Sequence, residues 1–215
     1  MTTINDLADT ESTAPILENR KVTRTMPPRH TNAVRSREYL TESEVDALHT
    51  AAKEGRYGSR DACLILLAYR HGLRVSEVIA LRWESIDLSA GLLHVARLKH
   101  GTPSTHPLRG PELRALRDIR RISPESPYVF TSERGGPMTA DNVRKMVSKA
   151  GRTAKLPFPV HPHMLRHACG YKLANDGNDT RAIQHYLGHK NITHTVRYTA
   201  LSPDRFKGFF SDWRL

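Results

Sequence analysis

The run His161-Pro162-His163-Met164-Leu165-Arg166-His167 is the densest polar cluster in the chain and opens a largely apolar segment. Residues 162–175 predict a helix ended by Gly177, because glycine readily takes the left-handed conformation past a helix end. On such a helix residue 163 faces the same way as 166 and 167. Two readings of that face stand side by side. His163 and His167, at i and i+4, have the spacing of a zinc pair. A hydrolytic metal site normally needs carboxylates as ligand or base, and from His161 to Tyr198 the only acids are Asp176 and Asp179, both in a Gly-Asn turn. The plainer reading is a basic helix face with histidines capping carbonyls.

Outward from this helix the periodicity stays helical on both sides. C-terminally, Thr180 is placed to cap a helix ended by Gly188, and residues 193–199 and 203–213 continue as two more. N-terminally, Thr139 caps a helix to about Arg152, and Pro157 and Pro159 form a stiff linker. Residues 128–130 read as a brief strand, and Pro111 opens a helix through Arg121. Residues 92–98 and 104–108 read as two strands around a Lys99-His100-Gly101-Thr102 turn. Residues 61–71 predict a helix that is apolar nearly all round, hence buried and central, with Gly72 just beyond it and a short helix over 76–82. Thr41-Glu42-Ser43-Glu44 is a capping box that starts a helix with Val45, Leu48 and Ala52 on one stripe, broken at 55–59. The fold class is mostly α with a small antiparallel β-sheet (α+β).

Lys and Arg number 33 against 22 Asp and Glu in 215 residues, a formal charge of +11. That favours a polyanionic partner: nucleic acid first, an anionic membrane surface second. Cys63 and Cys169 are the only cysteines, which excludes a disulfide scaffold and a Cys-based zinc site and fits a reducing cytoplasm. The longest apolar run, 62–69, is far too short to span a bilayer, and the N-terminus does not read as a signal peptide. Residues 1–38 form an arm without apolar period, expected to be unstructured, with six bases and no acid over 20–37. It is either a DNA-touching arm or a passive tail. Residues 39–201 form the main domain, and 202–215 an amphipathic tail helix with Phe206, Phe209, Phe210 and Trp213 on one stripe.

The polar cluster does not stand alone. Arg74 follows the glycine turn after the central helix, Lys99 sits at a hairpin tip, His189 lies just past a helix end, and Tyr198 is nine residues further on. Two Arg, one Lys, two His and one Tyr suit metal-free phosphoryl transfer. Guanidinium forks clamp the non-bridging oxygens and stabilise charge on a pentacoordinate phosphorus. A phenol attacks with a histidine near it, and a lysine protonates the leaving alkoxide.

Gly72-Leu73-Arg74-Val75-Ser76-Glu77, Leu98-Lys99-His100-Gly101 with Ser104-Thr105-His106-Pro107-Leu108, the 161–167 run, Tyr186-Leu187-Gly188-His189 and His194-Thr195-Val196-Arg197-Tyr198-Thr199-Ala200 resemble, in order and spacing, the tyrosine recombinase (phage integrase) family. Within it they are similar to the small recombinases that invert the fimbrial promoter switch. The resemblance covers about residues 38–210. It implies the tyrosine recombinase catalytic domain fold, with Arg74 and Arg166 on the scissile phosphate, Lys99 as general acid toward the 5′-oxygen and His163 as acid/base. His189 would donate to a phosphate oxygen, and Tyr198 would be the nucleophile of a 3′-phosphotyrosine link. Glu77 stands where the family keeps an acidic residue behind the site; a first-turn acid favoured by the helix dipole is the alternative. His161 and His167 are read as structural, and Tyr186 as core with Ile183 and Leu187.

The resemblance further implies double-stranded DNA as substrate, a tetramer on DNA, possible DNA-bending accessory proteins, no cofactor and no metal, and a cytoplasmic, nucleoid-associated location. The tail would dock in cis or into a neighbouring subunit. Full-length members usually carry a separate core-binding domain, whereas about forty residues precede the first helix here; the basic arm is expected to substitute in part. Two rival readings are a type IB topoisomerase-like relaxing enzyme and a DNA-binding regulator without catalysis.

Overall fold

The computed structural model describes residues 38–97 and 102–200. Lys99, the N-terminal arm and the tail helix lie outside the described residues. The elements, in chain order, are α1 (Glu42–Lys53), α2 (Gly58–Arg70), α3 (Val75–Ile79), β1 (Ile86–Asp87), β2 (Leu92–Val95), β3 (Ser104–Pro107), α4 (Gly110–Ile122), α5 (Ala140–Thr153), α6 (Pro162–Asn175), α7 (Thr180–Leu187) and α8 (Thr193–Ala200). None of the described helices is long and apolar enough to cross a membrane.

Two helices are buried on most of their surface, and the rest wrap them. In α2, Ala62, Cys63, Leu64, Ile65, Leu67 and Ala68 are buried, and the helix packs on α1, α4 and α6. Along α6, burial runs unbroken from Met164 to Gly170, polar Arg166 and His167 included. α7 and α8 cover the outer side of α6. The capping box of α1 forms as expected: Glu44 N–H donates to Thr41 Oγ1, and Thr41 N–H donates to Glu44 Oε2 at 2.8 Å. β1, β2 and β3 make one antiparallel sheet in that order, with Ile86 opposite Leu93 and Val95 opposite Ser104.

Several local expectations shift. Gly58 starts α2 instead of extending the break, because a Cβ there would lie 2.0 Å from the Lys53 carbonyl oxygen; its absence lets α1 and α2 meet at a tight corner. Residues 128–130 form no strand. Tyr128 makes a single antiparallel bridge to Arg82, and residues 129 and 130 could extend it only against Leu81 and Ala80, where the chain is still leaving α3. α3 ends at Ile79 rather than continuing to 82; past it the chain pairs with 127–129, Val129 N–H donating to the Leu81 carbonyl and Trp83 N–H to the Pro127 carbonyl, both at 3.0 Å. Asp179, not Thr180, caps α7: its carboxylate accepts from the Arg181 and Ala182 amides at 2.8 and 3.0 Å, where the helix dipole also favours an anion.

Candidate active site

Two helix ends converge on one recess. Gly72, at φ +56°, turns the chain out of α2, and Gly188, at φ +64°, turns it out of α7. Arg166 reaches from buried α6 between them. Its Nη1 donates to the Gly72 carbonyl and its Nη2 to the Leu187 carbonyl at 2.7 Å. One guanidinium thus satisfies carbonyls that the helices leave unpaired at their C-terminal ends. Arg166 is 1% exposed, and burial first, then Arg74 and Arg97, bring its pKa down to about 10, so it stays charged at neutral pH.

Arg74 follows the α2 turn and is the N-cap of α3. Its Nη1 donates to Glu77 Oε1 at 2.8 Å, and its backbone N–H donates to Glu77 Oε2 at 2.9 Å. Glu77 is therefore both a first-turn acid and the partner of the arginine side chain. Arg166 Nη1 lies 4.0 Å from Glu77 Oε2. Arg74 keeps 30% of its side chain exposed and opens onto a cleft lined also by Arg181, Gly188, His189, Lys190 and His194.

His189 stands directly after the Gly188 turn, with Nδ1 2.9 Å from the buried Thr195 hydroxyl. Burial, then Arg166 and Arg74, hold its pKa at about 3, so it is neutral at pH 7. When Thr195 donates to Nδ1, the ring proton sits on Nε2 and serves as a donor. His163 lies on the exposed side of α6, edge-on to His167 with ring centres 4.3 Å apart. Loss of solvent among its neighbours, then Arg166, lower its pKa.

Tyr198, on α8, is 2% exposed. Burial and then His163 hold the pKa of His167 at about 3, so the ring is neutral, and its Nδ1 shares a hydrogen bond with the Tyr198 hydroxyl at 2.8 Å. Burial pushes the phenol up to about 12, partly offset by Arg166. The ring fits because residue 170 has no side chain: a Cβ there would lie 2.6–2.8 Å from three ring atoms. Gly170→Ala should dislodge the phenol, lowering stability by about 1–3 kcal/mol, the usual cost of overpacking. It should also raise nitration of Tyr198, read by peptide mapping beside a thermal melt. Unchanged melting and unchanged nitration would contradict this account of the pocket.

Arg74, Glu77, His163, Arg166, His189 and Tyr198 thus come together, and His167 joins them as the partner of the Tyr198 hydroxyl. Arg97 is the residue that sequence reasoning misses. Its guanidinium is buried and donates to Glu77 Oε2 at 2.9 Å. A signal for it exists: strand alternation puts Arg97 on the same face as buried Leu93 and Val95. Three guanidiniums against one carboxylate leave a formal 3 − 1 = +2, a recess built for an anion. Tyr186 is more polar than a core tyrosine: its hydroxyl donates to the Arg70 carbonyl at 2.9 Å and its ring stacks on His106 at 3.9 Å.

The chain is 46% identical to the type 1 fimbriae regulatory protein FimB of Escherichia coli (strain K12) over 181 residues, 82% of this chain and 90% of that protein. It is 46% identical to FimE of the same strain over 180 residues, 81% of this chain and 91% of that protein. Identity to the tyrosine recombinase XerC of Xylella fastidiosa (strain M23) is 38% over 147 residues, 67% of this chain and 49% of that protein. Among solved structures, the XerA recombinase superposes with a TM-score of 0.71 at 24% identity, over 82% of this chain and 66% of that one. A lambda integrase dimer bound to a COC′ core site gives 0.62 at 24% identity, over 82% and 50%. These two show the shared fold, and this chain spans about half to two thirds of their length. The phage integrase family model matches residues 38–205, and with that span and those identities the chain belongs to the phage integrase family, the tyrosine-type site-specific recombinases.

Proposed function

We propose that the chain cuts and rejoins double-stranded DNA at specific sites, with Tyr198 as nucleophile. The phenol oxygen attacks the scissile phosphorus, the bond to the 5′-oxygen breaks, and a 3′-phosphotyrosine bond forms. The phenol proton passes to a nearby base, with His163 in that role, and the departing 5′-oxygen takes a proton from Lys99. Arg74 and Arg166 hold the charge that builds on the phosphoryl oxygens, and His189 donates to one of them. One ester bond replaces another, so the bond energy is kept for rejoining. The observation that carries this reading is the meeting of Arg74, Arg166 and His189 with Tyr198 at the ends of α2 and α7. Because the Tyr198 hydroxyl faces His167 and is buried, α8 or its tyrosine must shift toward the cleft before attack.

Four copies would act on two paired sites, with DNA-bending proteins helping to align them and the tail linking subunits, in the cytoplasm at the nucleoid. By likeness to the fimbrial relatives, the outcome is inversion of a DNA segment. The test is a supercoiled plasmid carrying two inverted copies of a site taken from DNA flanking the gene. Recombinant joints are expected; relaxation without joints would instead favour a topoisomerase-like enzyme.

The arm supplies part of the affinity in this reading. Residues 20–37 carry six bases and no acid. Deleting residues 1–37 should weaken binding and flatten its salt dependence, by about 0.9 in log–log slope for each phosphate that the arm had neutralised. An unchanged slope would make the arm a passive tail.

A further inference from the structure

We propose that Arg97 is a positioning residue that sets Arg74 through the Glu77 carboxylate, a proposal that rests on Arg74 binding the scissile phosphate. The side chain of Arg97 has 0% exposure and its position in the strand pattern is one an apolar residue would fill at lower desolvation cost. A charge is kept there nonetheless, and its partners say what it holds. Arg97 Nη1 donates to Glu77 Oε2 at 2.9 Å, while Arg74 Nη1 donates to Glu77 Oε1 at 2.8 Å. One carboxylate therefore lies between two guanidiniums, one buried and one opening onto the cleft. With Oε2 engaged by Arg97, the carboxylate plane is fixed and Oε1 faces Arg74.

Arg97 is itself fixed from two further sides. Its Nη2 donates to the His71 carbonyl at 3.4 Å and to the Tyr186 carbonyl, the residues just before those that Arg166 holds. Its stem lies flat on the Gly188 turn, where a Cβ would be 2.7 Å from Arg97 Cγ and 2.9 Å from Nε. Arg97 thus ties the ends of α2 and α7 together beneath Arg74. Without it, Glu77 is free to turn toward Arg166, 4.0 Å away, and to draw Arg74 off the phosphate.

The experiment is single-turnover cleavage by wild type, Arg97→Met, Arg97→Lys, Arg74→Ala and the Arg74→Ala/Arg97→Met double variant. Each is run on a normal site and on one whose scissile phosphate is a neutral methylphosphonate. On normal DNA, Arg97→Met should lose about 10–100-fold, the scale by which partners that orient metal-ligating side chains act. The double variant should be no slower than Arg74→Ala, since residues acting as a unit are non-additive. On the methylphosphonate, which has less charge to hold, the losses of both single variants should shrink together. Arg97→Lys keeps a cation on Glu77 and should show the same pattern at smaller size, which preserves the comparison if the methionine variant folds poorly. Additive losses in the double variant, or an Arg97 loss equal on both substrates while the Arg74 loss shrinks, would overturn the positioning role alone. An Arg74 loss that is equal on both substrates would overturn the phosphate-binding reading beneath it.

Discussion

Tyr198→Phe should abolish covalent attachment to DNA while leaving DNA affinity nearly unchanged. The phenol oxygen makes the bond to phosphorus, whereas affinity comes from the cationic residues that displace counterions. The structure adds a second expectation. The Tyr198 hydroxyl and His167 Nδ1 share a hydrogen bond, so the variant leaves a buried ring nitrogen without its partner. That should lower stability by about 1–3 kcal/mol, a loss separate from the loss of chemistry. The readout is a suicide substrate nicked beside the site, from which the cleaved fragment diffuses away so that rejoining fails and the adduct accumulates on a denaturing gel. Two other phenols serve as controls. Tyr171 has its ring 5.1 Å from that of Tyr198, and Tyr186 spends its hydroxyl on the Arg70 carbonyl. Both phenylalanine variants should still form the adduct. An adduct that survives in Tyr198→Phe and disappears in Tyr186→Phe would move the nucleophile to α7.

What can be read from the sequence depends on how far apart the deciding partners lie along the chain. Local signals carry through: the Thr41 capping box, the all-round apolar α2, the glycine that ends it and the helix from Pro162 to Asn175 are each set within a few residues. Pairings over long separations do not. Nothing near residue 128 says that its partner is Arg82, or that the next residues in line, Leu81 and Ala80, sit at the end of α3 and allow only one bridge. Nothing near Gly170 says that the space it leaves belongs to the Tyr198 ring on another helix. The same holds in the site. Arg74 and Glu77 are three residues apart, at the start of one short helix, and can be paired from spacing alone. Arg97 meets Glu77 across twenty residues, and its burial has a local clue only in the strand alternation. His167 reads as structural in the sequence because its partner is 31 residues away; in the fold it holds the hydroxyl that the proposed reaction needs.

Lys99→Ala should slow cleavage of normal DNA on the order of 10²–10⁴-fold, the range for loss of a general acid, and should regain most of that rate when the bridging 5′-oxygen is replaced by sulfur. The argument starts from the leaving group. Cleavage expels a 5′-alkoxide, which departs poorly unless it is protonated as the bond breaks, whereas a thiolate departs without a proton. Lys99 lies in the connection between β2 and β3, beside His100 and Gly101. A lysine there could equally be a phosphate contact, as most hairpin lysines on a basic protein are. The two roles separate on the sulfur substrate alone, since a phosphate contact is missed equally whichever atom leaves. Arg74→Ala is the right comparator. Its side chain is partly exposed and paired within α3, so its removal disturbs the fold less than removing Arg166, which holds two helix ends through their carbonyls. Arg74→Ala should stay slow on both substrates, because holding charge on the phosphoryl oxygens matters whatever group leaves. Single-turnover cleavage of both substrates by both variants decides the matter. If Lys99→Ala is equally slow on oxygen and on sulfur, Lys99 only touches phosphate. The acid must then be sought elsewhere, with His163, on the exposed side of α6, the next candidate once it has taken up the phenol proton.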